Sequence, residues 1–182
     1  MNIANILSFL RIILVPFFIF FLNQTPLNKT NCLISLLIFI LASITDFFDG
    51  LIARKKNIVT NLGKFLDPLA DKILTTAAYL CFLDLKLVSV YVVFIILTRE
   101  FLVFLIRLIA SKENVVIAAN FWGKLKTVTQ IISCITTILY LVVPNIYLFL
   151  TYKIFIYAST FLTALSGFLY ILENKKLLKN SK

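Results

Sequence analysis

The chain has no histidine, only four glycines, three cysteines and eight acidic residues among its 182. Without histidine the commonest general base is missing, so any acid–base chemistry falls to Asp, Glu, Lys or Tyr. Cys32, Cys81 and Cys134 stand singly inside apolar stretches. An odd number without metal-ligand spacing excludes a disulfide framework and a thiolate zinc site, which leaves packing as their role. So few glycines also speak against the broken helices on which transporters build sites near the bilayer midplane.

What is abundant is apolar. Hydrophobic residues make up 61% of the chain and the mean hydropathy is +1.01, against roughly 45–50% apolar residues in soluble domains. Six apolar runs can be counted, at 6–22, 32–52, 69–85, 87–109, 128–143 and 146–172. Each approaches the roughly 20 residues that cross a bilayer as a helix. The expected fold is therefore an all-α membrane protein of six transmembrane helices, one domain over 1–182, with no room for a separate soluble module. The first run lacks a strongly positive start and a small-residue cleavage site, so it is expected to be retained.

The net charge is +10, but the basic residues lie in short loops between apolar runs. That arrangement points to anionic lipid or phosphate substrates, not to nucleic acid. Thirteen basic residues fall on the side of the second and fourth loops and the C-terminus, and three on the other; Arg11 and Arg99 remain inside predicted helices. The positive-inside rule places the crowded side, and both termini, in the cytoplasm.

Four of the eight acidic residues gather in one stretch on that side, "DFFDGLIARKKNIVTNLGKFLDPLAD", residues 46–71. Residues three, four and seven apart share a helix face, so Asp46, Asp49, Gly50 and Ala53 form one stripe. Phe47, Phe48, Leu51 and Ile52 occupy the opposite face. After a polar turn, Gly63, Asp67 and Asp71 repeat the pattern at four-residue steps. Four close carboxylates repel unless cations neutralise them. Hard divalent ions prefer oxygen ligands, and Mg²⁺ is usually held by a few carboxylates plus substrate phosphates. Two metals about 3.5–4 Å apart can clamp a phosphoryl group. The small residues would let a bulky ligand approach the backbone, and Arg54 offers a fork for phosphate. The alternative is that these aspartates merely solvate helix ends. Four carboxylates on two small-residue stripes favour metal-assisted phosphoryl chemistry at the membrane surface.

The spacing D-x2-D-G-x2-A-R-x8-G-x3-D-x3-D is met without a gap by Asp46, Asp49, Gly50, Ala53, Arg54, Gly63, Asp67 and Asp71. It resembles the signature of the CDP-alcohol phosphatidyltransferase family. That resemblance implies a bundle of six transmembrane helices, usually a homodimer, with a cytoplasm-facing site for two metal ions, Mg²⁺ or Mn²⁺. It implies that Asp46 and Asp67 bridge both metals, that Asp49 binds one, and that Asp71 binds the other and is the general base. Gly50 and Arg54 would hold the CDP portion of CDP-diacylglycerol, with Thr60 a further contact. Asn5 and Ser8, within one arc of the first helix with Arg11, would touch the cytidine end; a polar helix start at the interface explains them equally well.

Outside the signature, "NIANILSFLRIILVPFF", "GKFLDPLADK", "TREFLVFLIR" and "GKLKTVTQ" most resemble the bacterial branch that uses sn-glycerol 3-phosphate as acceptor. Ala4 stands where that branch usually has proline, and Ser8 where it has threonine. The implied reaction moves a phosphatidyl group from CDP-diacylglycerol to sn-glycerol 3-phosphate, releasing CMP, in the inner (cytoplasmic) membrane of a bacterium. A phosphorylated acceptor needs cations. Arg99 and Arg107, eight residues and about 80° apart on one helix, with Lys124 and Lys126 at the start of the next, are the candidate phosphate clamp. Arg99, deep in an apolar run, needs a partner, either Glu100 or an anionic substrate; simple interfacial anchoring explains the others equally well. Rival readings are a cardiolipin synthase-like enzyme with phosphatidylglycerol as acceptor, a membrane prenyltransferase, and a cation transporter.

Overall fold

A computed structural model of the protein describes the backbone of residues 3–24, 27–56, 61–112 and 121–175, and the side chains within 8–24, 27–45, 72–110 and 121–175. The described residues form six α-helices: α1 Ile3–Leu22, α2 Lys29–Lys56, α3 Asn61–Asp84, α4 Val90–Lys112, α5 Phe121–Val142 and α6 Ile146–Glu173. Each of the six apolar runs coincides with one helix. At the side read as cytoplasmic the helices continue past the apolar residues: α2 runs on to Lys56, α3 begins at Asn61, and α5 begins at Phe121. The shortest, α1, has 20 residues, about 30 Å at 1.5 Å per residue, which spans a hydrocarbon core.

Inward faces follow the helical period. In α1, Ser8, Arg11, Val15, Phe18 and Leu22 are buried at steps of three and four; in α2, Cys32, Ser35, Phe39 and Ala42 are. Outward faces stay apolar. Phe17 and Phe20 of α1, Leu37 and Leu41 of α2, Phe94 and Phe101 of α4, and Ile154, Phe161 and Phe168 of α6 are all exposed. A water-soluble monomer rarely exposes apolar surface on this scale, whereas lipid accepts it. α5 and α6 are by length and composition able to cross a membrane, and α1 and α2 carry shorter apolar stretches at Ser8–Leu22 and Lys29–Thr45.

α1 packs along α2 and α3, α2 against α5, α5 along α6, and α4 against α6, with lighter contacts of α3 to α2, α4 and α5. The buried faces of α5 and α6 are small and polar: Ser133, Cys134 and Thr137 on one, Ser159, Thr163, Ser166 and Gly167 on the other. Small residues let membrane helices approach closely. Their hydroxyls are satisfied within the helix, as when Thr137 donates to the Ser133 carbonyl and Thr163 to that of Ser159, each at 2.6 Å. Tyr79 of α3 ties the pair to the rest of the bundle, its hydroxyl lying 2.6 Å from Ser133 Oγ and 3.0 Å from Ser159 Oγ. All three cysteines are buried and free.

Candidate active site

Glu100 occupies the inward stripe of α4, where Val93, Ile96 and Val103 are its apolar companions at three- and four-residue steps. Three cations from three helices close on it. Lys126 of α5 donates a hydrogen bond to Oε1. The Nη1 atom of Arg99 lies 3.5 Å from Oε2, and Nζ of Lys72 on α3 lies 3.6 Å from the same oxygen. Lys72 also rests over the Phe104 ring, 5.3 Å from its centre. Burial is deep at the centre, with Lys126 and Glu100 buried and Lys72 a quarter exposed.

Among the described residues, one carboxylate against three cations leaves a surplus of two positive charges in a setting where charge is costly. Two buried donors beside this cluster have no hydrogen-bond partner among the described residues: Nε of Arg99, and Nε2 of Gln130, one helical turn beyond Lys126 on the same face of α5. Surplus charge and open donors together suit an anion. A phosphate monoester, at about −1.5 to −2 near pH 7, matches the surplus. On its α3 side the cluster borders an apolar cavity of about 660 Å³ between α1, α3 and α4, which runs from Lys72 and Glu100 to Asn23.

Of the four cations expected to form the clamp, Arg99 and Lys126 meet. Arg107 stands beside them: it is exposed, its Nε donates to the Tyr170 hydroxyl at 3.4 Å, and its guanidinium lies 6.0 Å from that ring. Its charge acts on both Arg99 and Lys72. Lys124 is exposed. Two residues from Lys126 means about 200° around the helix, so Lys124 points away from the cluster. Arg99 has the Glu100 partner that its place in an apolar run requires. Three residues were not foreseen as site members: Lys72, counted only as a basic residue of the cytoplasmic side, Glu100, considered only as a neighbour for Arg99, and Gln130. The signal for Glu100 was there, since a carboxylate in the middle of an apolar run needs cations.

Ser8 and Arg11 are both buried on the inward face of α1. Asn5 lies on the same helix, but its side chain, like all of Thr60, lies outside the described residues. The same holds for the side chains of the aspartate motif, whose backbone is placed. Asp46, Asp49, Gly50 and Arg54 lie toward the C-terminal end of α2, and Asp67 and Asp71 in the first half of α3. Lys72 follows Asp71 directly in the chain, so the backbone of the motif runs straight into the cation cluster.

A family model for CDP-alcohol phosphatidyltransferases matches residues 1–168. The chain belongs to the CDP-alcohol phosphatidyltransferase family. Its relatives include the CDP-diacylglycerol–glycerol-3-phosphate 3-phosphatidyltransferase of Bacillus subtilis, 35% identical over 99% of this chain and 98% of that protein. The protein of the same name from Rickettsia bellii is 38% identical over 96% of each chain. A probable phosphatidylglycerophosphate synthase of Mycobacterium tuberculosis is 39% identical over 72% of this chain and 63% of its own.

CDP-alcohol phosphatidyltransferases are integral membrane proteins of all-α fold and generally depend on a divalent metal. The donor set here fits that need. Asp46 and Asp49 are three residues apart on α2, Asp67 and Asp71 four apart on α3, and the two helices touch. Each pair therefore shares a helix stripe, and carboxylate oxygens are the ligands a hard divalent ion prefers.

Proposed function

We propose that the chain is a single-domain enzyme that transfers a phosphatidyl group from CDP-diacylglycerol to sn-glycerol 3-phosphate, giving phosphatidylglycerophosphate and CMP. The observation that carries the acceptor assignment is the surplus of two positive charges that the described residues place around Glu100, one of them on Lys72, which directly follows the last aspartate of the motif. A neutral alcohol would leave those charges uncompensated. Full-length likeness to the Bacillus and Rickettsia proteins supports the same acceptor.

In this reading Asp46, Asp49, Asp67 and Asp71 would together hold two divalent ions, Mg²⁺ or Mn²⁺. Bound there, the ions would supply Lewis-acid stabilisation of charge on the phosphoryl oxygens. Asp71 accepts the proton of the acceptor's free hydroxyl. The resulting alkoxide oxygen forms a bond to the phosphorus that bears the diacylglycerol, the bond from that phosphorus to the CMP oxygen breaks, and CMP leaves. Gly50, Arg54 and Thr60 hold the CDP portion, with Asn5 and Ser8 at its cytidine end. Arg99, Lys126 and Lys72 grip the acceptor's phosphate, and Arg107 strengthens the field from the rim. In this reading the working unit is a homodimer in a bacterial inner membrane, with both termini and the site facing the cytoplasm.

The test is product formation. Purified protein given CDP-diacylglycerol, Mg²⁺ and sn-glycerol 3-phosphate should release CMP and carry the glycerol phosphate into the lipid phase. Absence of both products, with another alcohol active in its place, would overturn the acceptor assignment.

A further inference from the structure

Arg99 reaches Glu100 along a path that one glycine keeps open. Gly167 of α6 is buried, and a methyl group on its Cα would lie 2.7 Å from Cγ of Arg99 and 3.6 Å from its Cβ. Carbon atoms pack at about 3.5–4.0 Å, so the first contact is a clash. A flexible tip could swing away, but Cγ is one bond from Cβ. Relief requires a different χ1, and a helix leaves few staggered alternatives. The guanidinium would then leave its place beside Glu100.

Nor can α6 readily withdraw. One turn further along, Tyr170 packs with Val103 and Ile106 of α4 in a buried apolar cluster, which pins the two helices together. At the other end of the side chain the constraint is looser. A methyl on Gly123 of α5 would lie 3.7 Å from Nη2 of Arg99, an ordinary contact. Arg99 thus runs between two glycines, and only one of them is required.

We propose that Gly167 is a positioning residue for the acceptor phosphate, setting the course of Arg99 without touching substrate itself. This rests on the reading that Arg99 grips that phosphate.

The experiment is a double-mutant cycle on purified protein, with Gly167→Ala, Arg99→Ala and the pair combined, and Gly123→Ala as the control. Each substrate is varied in turn and thermal stability is measured. Gly167→Ala should raise the KM for sn-glycerol 3-phosphate about tenfold, the loss of roughly one charge-assisted hydrogen bond, and leave the donor's KM within about twofold. Added to Arg99→Ala, it should do no further harm, because the truncated side chain no longer meets the new methyl. Gly123→Ala should match the parent. If Gly167→Ala alone does not fold, the double variant should, since the clash is gone. The inference is overturned if Gly167→Ala behaves like the parent, if its cost multiplies with that of Arg99→Ala, if both KM values rise together, or if neither variant folds. A parent enzyme that ignores sn-glycerol 3-phosphate would instead overturn the proposed function. The cycle is then read by calorimetric titration with inorganic phosphate, where the same non-additive pattern is expected and an additive one, or no binding by the parent, contradicts it.

Discussion

Lys126 donates a hydrogen bond to Glu100 across the space between α4 and α5, two helices whose backbones do not pack against each other among the described residues. The pair is therefore a direct tie between those helices, and it is buried at both ends. Breaking a buried pair by removing one partner costs about 3–5 kcal/mol, because the other charge stays behind unpaired. At Glu100 three cations are left facing one another. Glu100→Gln should lower the thermal midpoint clearly, by more than Lys126→Gln, which still leaves Arg99 and Lys72 on the carboxylate. Equal, small shifts in detergent melts would show that the carboxylate is not the hub.

The buried Lys126 and the half-buried Arg99 should separate from the exposed Lys124 in kinetics. Arg99→Ala and Lys126→Ala should each raise the acceptor's KM about 10- to 100-fold, matching roughly 1.5–3 kcal/mol per charge-assisted hydrogen bond. The donor's KM should stay nearly constant. Lys124→Ala, on the far side of α5, should change the acceptor's KM less than about threefold, within the small effect of a surface charge. A large effect at Lys124 with none at Lys126 would reverse the assignment.

How much of this was legible beforehand follows from what each feature depends on. The six helices were, because a bilayer forces an apolar run for each crossing. Their cytoplasmic ends were not. Residues such as Lys55, Lys56, Asn61 and Lys124 are polar yet lie within helices, so hydropathy marks where the apolar run stops and not where the helix does. The aspartate motif is a matter of spacing in the sequence, and its side chains lie outside the described residues. Lys72 and Gly167 were not legible, because their roles are set by what faces them from α4, and nothing in their own neighbourhood of the chain says so. Lys124 and Lys126 read alike in the sequence; only the 200° between them tells them apart.

Tyr79 offers a check on the bundle independent of chemistry. Tyr79→Phe removes the hydroxyl that Ser133 and Ser159 share, but each serine keeps a backbone acceptor on its own helix, at 2.8 and 2.9 Å. The cost should be modest, about 1 kcal/mol, as hydrogen bonds between membrane helices typically are. Unfolding in mixed micelles would measure it, with both KM values unchanged. Loss of activity without loss of stability would place Tyr79 in the site.

Metal dependence bears on the motif. Chelation should abolish turnover and added Mg²⁺ or Mn²⁺ restore it, while Asp46→Asn and Asp67→Asn should each remove activity that added metal does not recover. Full activity in either variant would contradict a shared two-metal site.

Orientation can be read with reporter fusions. One at residue 182 and one in the 24–29 loop should report opposite sides of the membrane, the first cytoplasmic, as the basic-residue asymmetry requires. Both on one side would contradict the six-crossing topology.

The central claim is that a phosphorylated acceptor completes the cation cluster around Glu100. The direct measurement is CMP release from CDP-diacylglycerol with sn-glycerol 3-phosphate, glycerol, inositol and phosphatidylglycerol supplied separately to the same purified protein. Two or more charge-assisted contacts, at roughly 1.5–3 kcal/mol each, predict a kcat/KM for sn-glycerol 3-phosphate at least about 100-fold above that for glycerol. Comparable rates with glycerol, or a preference for phosphatidylglycerol, would contradict the account.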